Sequence, residues 1–268
     1  MKTHELEDKL KKLRLGGMLD TLELRLDQAQ REGLGYITFL EMLLEDELNR
    51  RAQNALNKRI YRAHFDELKT LAEFDFTYNP KIPVQTVRDL ATCRFIERKE
   101  SVLICGPVGV GKSHIAQALG YSACQMGYEV LYVGTSSLIR DLGGGHADGT
   151  FQTRLQKYIK PDLLILDDFG LRDFSPQQSE DLYELICGRY RSGSMIVASN
   201  RAPNDWYKLF ANPVLAESAL DRLINSAHYL LLAGRSYRPL HRPGCPSPVS
   251  TDPAQTGSPD DTGGGNQG

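Results

Sequence analysis

One stretch restricts this chain more than any other. The apolar run SVLIC (101–105) leads directly into Gly106-Pro107-Val108-Gly109-Val110-Gly111-Lys112-Ser113, and a helix-forming segment follows from Lys112 to about Met126. The pattern GxxxxGK[ST] arises by chance in roughly one chain in a hundred of this size, and here it lies between a strand and a helix, where its physics is needed. Glycines let backbone N–H groups turn toward phosphates, and the helix N-terminus adds a favourable dipole. Lys112 then meets the β- and γ-phosphates and Ser113 ligates Mg2+. The bland alternative is a glycine-rich turn carrying a surface lysine.

The surrounding sequence supplies the fold that such a loop requires. Four further apolar runs, EVLYV (129–133), LLIL (163–166), SMIVAS (194–199) and HYLLL (228–232), alternate with helical stretches. Runs that are apolar on both faces and separated by helices specify a parallel sheet covered on both sides, a three-layer α/β domain. Gly143-Gly144-Gly145 reads as a flexible loop between two helical pieces of the second crossover.

Two of these runs end in polar residues. LLIL is followed by Asp167-Asp168, and carboxylates at the end of a buried strand are costly unless something pairs with them. Asp167 suits the water shell of Mg2+, and Asp168 suits polarising a water that attacks a γ-phosphate; the alternative is a pair of acids capping a turn. SMIVAS ends in Asn200, at the sheet edge where open α/β folds bind ligands. Arg222, in DRL on a predicted helix, and Arg238, in SYR after the last run, are candidates for stabilising phosphoryl charge, with surface ion pairs as the alternative.

The first 65 residues read as helices. Leu6, Leu10 and Leu13 are resumed after Gly16-Gly17 by Leu19, Leu22, Leu26 and Ala29, which predicts a helix pair. Thr38-x-x-Glu41 matches a capping box ahead of a stripe at Leu40, Leu44, Leu48, Ala52, Leu56 and Ile60. The same helix carries Arg50, Arg51, Lys58, Arg59 and Arg62 just after Glu41, Glu45, Asp46 and Glu47. Arg51, Lys58 and Arg62 fall within about 40° of one another on the helix, a strip suited to following a phosphate backbone without reading bases. A solvated basic face paired with its own acids is the competing reading. Residues 66–100, with Phe74, Phe76, Tyr78, Pro80 and Pro83, read as a linker packing on the domain at 101–238.

Composition excludes several classes. The chain is 41% hydrophobic and 25% charged, with no apolar run near the roughly 20 residues of a bilayer span. MKTHELEDKLKK has no signal-peptide core, so a cytoplasmic protein without a membrane role is expected. Five cysteines, none in a CxxC pair, give no disulfide framework, and His241 with Cys245 lacks a second pair of zinc ligands. Residues 239–268, with six Pro and six Gly, are expected to be a disordered tail. The net charge of −2 is the tail's own: its three acids and one arginine leave 31 basic and 31 acidic residues in 1–238.

Taken in order, GPVGVGKS, LLILDDFG, IVASN, LDRL and SYR resemble an AAA+ ATPase, and more narrowly the IstB-like transposition helper ATPases, relatives of the DnaC helicase loaders. The resemblance runs from about residue 3 to 238 and includes KTLAEFDF (69–76) and CRFIERKESVLICGPVGVGKSHIAQALG (93–120). It implies a P-loop AAA+ core, with a five-stranded parallel sheet between helices, an all-helical N-terminal domain and no full helical lid. It implies a Walker A cradle from Gly106 to Ser113 with His114 beside it, and Asp167 and Asp168 as Walker B. It also implies Asn200 as sensor 1, Arg238 as a sensor 2-like arginine and Arg222 as a finger reaching a neighbouring subunit's nucleotide. ATP and Mg2+ as cofactors, a homo-oligomer on double-stranded DNA and a transposase encoded alongside follow from the same likeness. Asp168 departs from the glutamate that many AAA+ proteins carry, which shortens its reach by one methylene. The expected function is DNA-stimulated ATP hydrolysis that assists a transposase; a replicative-helicase loader, a small-molecule kinase and a protein with a vestigial site are the alternatives.

Overall fold

The computed structural model describes residues 2–238; the expected tail and the His241/Cys245 pair lie outside them. Three helices open the chain, α1 (Lys2–Lys12), α2 (Gly16–Glu32) and α3 (Tyr36–Ala63). Leu10, Met18, Leu22 and Leu43 form their small shared core. Burying four such side chains contributes on the order of 1.5–3 kcal/mol each before entropy is counted.

The expected helix pair is interrupted at residues 13–15, and Gly16-Gly17 make a close contact just beyond the break. Both glycines lie in the first turn of α2, and a Cβ on Gly17 would lie 2.6 Å from the Asp46 carbonyl oxygen and the Glu47 Cα. The close crossing lets the buried Glu47 carboxylate accept the Gly17 N–H at 2.6 Å, satisfying a donor that the helix start leaves open. The capping box is also corrected. α3 begins at Tyr36 with Gly35 as its N-cap and no side-chain cap, so Thr38 and Glu41 are interior. The predicted stripe faces two environments. Leu43 and Glu47 turn toward α2, Leu40, Leu44 and Leu48 are exposed, and Leu56 and Ile60 pack on the sheet.

After α3 come two short helices, α4 (Val84–Ala91) and α5 (Arg94–Glu97), and then the α/β unit. Its elements are β1 (Ser101–Cys105), α6 (Lys112–Gln125), β2 (Val130–Gly134), α7 (Thr135–Asp148), α8 (Phe151–Ile159) and β3 (Leu163–Phe169). They continue with α9 (Pro176–Arg189), β4 (Ser194–Ser199), α10 (Pro203–Trp206), α11 (Pro213–Ile224) and β5 (Ala227–Leu231). The five strands are all parallel in the order β2-β3-β4-β1-β5. All five predicted runs are strands, as alternation of buried runs with crossover helices requires.

Side chains of one sheet face, Leu103, Leu164, Leu166 and Val197 among them, pack on α7, α8, α9 and α11. Ile104, Ile165 and Ile196 face α4, α6 and the end of α3. At the edge opposite the carboxyl ends of the strands, Arg189 is almost fully buried and donates to the carbonyls of Tyr158, Ile159, Asp162 and Ser194 at 2.6–3.3 Å. Burial lowers its pKa to about 10, so it remains cationic at neutral pH. Among the described residues no helix follows β5.

The predicted glycine loop is overturned. Gly143, Gly144 and Gly145 lie inside α7. A Cβ on Gly145 would come within 2.8 Å of the Phe151 Cα, and one on Gly144 within 2.9 Å of Arg154. Close packing against α8 gives a reason for small residues at 144 and 145, whereas Gly143 has nothing within 4 Å.

Candidate functional site

The phosphate loop takes its shape from backbone conformations that only glycine adopts freely. Gly109 and Gly111 have φ of 81° and 101°, in the left-handed region. A Cβ on Gly109 would fall 2.1 Å from Ser236 Oγ, so the loop also needs an empty Cβ position where the last segment crosses it. Gly111 is the residue preceding α6, which places the positive end of that helix at the loop.

A cavity of about 920 Å3 opens at the carboxyl edge of the sheet. It is lined by Val108 to His114, Asp167, Asp168, Asn200 and Arg238, bringing together most of the residues singled out in the sequence. Gly106 and Pro107 lie at the root of the loop rather than on the cavity wall, and the Pro107 carbonyl accepts from Lys112 Nζ at 2.7 Å. Lys112 is buried, which lowers its pKa, while the charges of Asp167 and Asp168 oppose that shift.

The two acids are separated by a distortion of β3. Pairing of β3 with β4 shifts register between Leu166 and Phe169, and Asp168 has φ of 54°. A bulge of this kind redirects side chains. Asp167 stays buried, whereas Asp168 is exposed toward the cavity. Each oxygen of Asp167 accepts one hydrogen bond, Oδ1 from the Asp168 N–H at 2.9 Å and Oδ2 from the Tyr132 hydroxyl at 2.7 Å. Burial, and then the neighbouring Asp167 charge, raise the pKa of Asp168 against the pull of Lys112 and Arg238. The Ser113 hydroxyl and the Asp167 carboxylate are hard oxygen donors that both line the cavity, a set that suits Mg2+ completed by phosphate oxygens and water.

Several cavity residues escaped the sequence reading. Asp66, Phe74, Tyr78 and Asn79 form a wall beside the loop, and a Cβ on Gly111 would lie 2.5 Å from the Phe74 ring. His114 anchors that wall through a 3.0 Å contact with the Thr70 carbonyl and an edge-on contact with Phe74. Tyr78 and Asn79 clasp the final segment, the Tyr78 hydroxyl donating to the Ser236 carbonyl and Asn79 bonding both ways with Arg235. The aromatic alternation at 74–78 signalled packing but not this location. Tyr132 was hidden inside an apolar run, although a phenol in a buried strand always needs a partner for its hydroxyl.

Arg222 is not on the cavity. It is half-buried on α11 and donates to the Ser218 carbonyl and hydroxyl, both at 2.5 Å. The basic strip of α3 is largely paired. Arg50 faces Asp20 at 3.3 Å, Arg51 is held by Glu47 at 2.7 Å, and Arg62 lies 3.7 Å from Glu129. Arg59 donates to the Cys124 carbonyl at the end of α6, and Lys58 is exposed without a partner among the described residues.

The helices of the described residues include none long and apolar enough to cross a membrane. A Mycobacterium tuberculosis protein named for ATP binding in an insertion sequence is 50% identical over 240 residues, covering 89% of this chain and 96% of its own. The protein named for ATP binding in insertion sequence IS21 of Pseudomonas aeruginosa is 37% identical over 235 residues, covering 88% and 89%. Among solved structures, DnaI is similar in fold, with a TM-score of 0.55 at 20% identity over 62% of this chain and 91% of that one. The phosphate loop and the acid-tipped β3 thus stand at the carboxyl edge of one parallel sheet, and the family description "IstB-like ATP binding protein" matches residues 8–243: the chain belongs to that family.

Proposed function

We propose that this protein is a Mg2+-dependent ATPase that assembles on double-stranded DNA and assists the transposase of an insertion sequence. The observation that carries this reading is the convergence of Lys112, Ser113, Asp167, Asp168, Asn200 and Arg238 on one cavity at the carboxyl edge of the sheet. Lys112 and the N–H groups of the loop hold the phosphates, and Ser113 with Asp167 holds the metal. When bound, Mg2+ neutralises charge on the β- and γ-phosphate oxygens. Asp168 orients and polarises the attacking water, Asn200 hydrogen-bonds it or the γ-phosphate, and Arg238 stabilises the phosphoryl charge. Hydrolysis is favoured over transfer to a metabolite because the second acid and the strand-end amide both point to water.

Residues 1–65 serve as a helical arm for DNA and partners, 66–100 connect it, and 101–238 form the ATPase core. The location of Arg222 away from its own chain's cavity supports its action across a subunit interface. Arg50, Arg51, Lys58, Arg59 and Arg62 contact the phosphate backbone, with Lys58 the member whose charge is not already engaged. Kinship with insertion-sequence proteins at 37–50% identity favours a transposase as partner over a replicative helicase, because the likeness to DnaI extends only to the fold.

Retention of duplex DNA at low salt, measured with ATP and without, tests this reading. ATP-dependent retention by the native protein and its loss in Lys112→Ala are expected. Retention that ignores ATP and survives Lys112→Ala overturns the reading, and stimulation of hydrolysis by single strands alone replaces it with a helicase loader.

A further inference from the structure

Tyr132 stands between two carboxylates that belong to different parts of the molecule. Its hydroxyl lies 2.7 Å from Asp167 Oδ2 and 3.0 Å from Asp66 Oδ2. A phenol has one proton and so donates to only one of these acceptors at a time. Asp167 belongs to β3 at the floor of the cavity. Asp66 comes three residues after the end of α3, the helix that carries the basic strip. The residue between His64 and Asp66 is Phe65, whose ring lies against Tyr132 with centroids 6.3 Å apart and which joins the core on that face of the sheet. The connection from the nucleotide site to the arm is therefore short and made of packed groups.

We propose that Tyr132 and Asp66 are positioning residues that couple the state of Asp167 to the end of α3. The inference rests on the reading of Asp167 as the metal-holding acid. With Asp167 uncommitted, the hydroxyl fixes Oδ2 while the Asp168 N–H fixes Oδ1, so the carboxylate is held in a single orientation before loading. When the charge of Asp167 is committed to a cation, the O–H rotates toward Asp66 and draws residues 64–68 onto β2. No bond is broken and no proton changes owner. The cavity and the arm thus share one hydrogen-bond donor, and loading the first alters the hold on the second.

The test uses the full chain and a fluorescent ATP analogue, titrated with Mg2+ and with EDTA, alongside amide hydrogen exchange of residues 64–68 in both conditions. The native protein is expected to bind the analogue more tightly with Mg2+ and to slow exchange in 64–68. Tyr132→Phe keeps the ring and is expected to leave the EDTA affinity within about twofold, to reduce the tightening by Mg2+ about three- to tenfold, and to abolish the exchange response. Asp66→Asn is expected to keep the tightening and lose the exchange response. Equal weakening of both affinities by Tyr132→Phe, or a native exchange response in both variants, overturns the proposal. If Tyr132→Phe does not fold, the exchange response of Asp66→Asn decides alone. A native protein that binds no analogue, or binds it equally in EDTA, refutes the ATPase reading itself, a result separable from the failure of either variant.

Discussion

In the helical arm, several charged side chains are paired with one another; at the carboxyl edge of the sheet Lys112, Asp167, Asp168 and Arg238 are not. Arg25 makes two bonds of 2.8 Å to Asp46, Arg51 is held by Glu47, and Arg50 by Asp20. Lys112, Asp167, Asp168 and Arg238 converge on one cavity, yet none of them forms an ion pair with any described residue. Lys112 and Asp167 are buried without an ion-pair partner, an arrangement that carries a desolvation cost. The contrast separates groups that hold the fold from groups proposed to hold a ligand.

Lys112→Ala probes the contrast hardest. Hydrolysis is expected to fall about 10²–10³-fold, as for loss of one charge-stabilising donor in a preorganised site. The thermal midpoint should hold or rise, since a buried ammonium is removed; a collapse of the midpoint would make Lys112 part of the scaffold and break the comparison. Asp168→Asn comes next, with an expected loss of about 10²-fold from removal of the group proposed to polarise water. Because the working form is the carboxylate and its pKa is raised, native hydrolysis should decline on acidification at a pH above the ordinary aspartate value of 3.8. The variant should lack that limb in its pH–rate profile.

Gly17→Ala tests the arm. A Cβ forced against the backbone of α3 should cost about 1–3 kcal/mol in urea unfolding, with ATP-analogue affinity unchanged. The smallest effect is expected for Lys58→Ala, which should change stability by less than about 0.5 kcal/mol and lower the salt slope of duplex binding by about one. Arg51→Ala should lower that slope and also destabilise the arm, because it leaves Glu47 without its cation. Comparing the two in denaturation and salt titration separates a free charge from a paired one.

The core was legible because its information is local. A phosphate loop between a strand and a helix, and acids at the tip of an apolar run, announce both their conformation and their place in a parallel sheet. The arm was less so. The period of Leu40, Leu44 and Leu48 predicts a helix but not which flank meets α2, and burial of Leu43 and Glu47 is decided by glycines more than 25 residues earlier in the chain. Gly143 to Gly145 misled for a related reason, since the contact with Phe151 and Arg154 that accommodates small residues there is tertiary. Asp66 and Tyr132 were invisible because each is an ordinary residue in its own segment, and only folding places them on the same hydroxyl.

The 28 residues of α3 form one uninterrupted rod of about 40 Å. Its last turns are seated on the sheet beside the nucleotide cavity, and its first half carries α1 and α2. A rod clamped near one end acts as a lever. A tilt of about 5° at the seat moves the far tip, roughly 33 Å away, by about 3 Å, the rise of two residues along a helix. Rearrangements too small to notice around a phosphate would thus arrive at the tip of the arm as displacements large enough to engage or release another molecule.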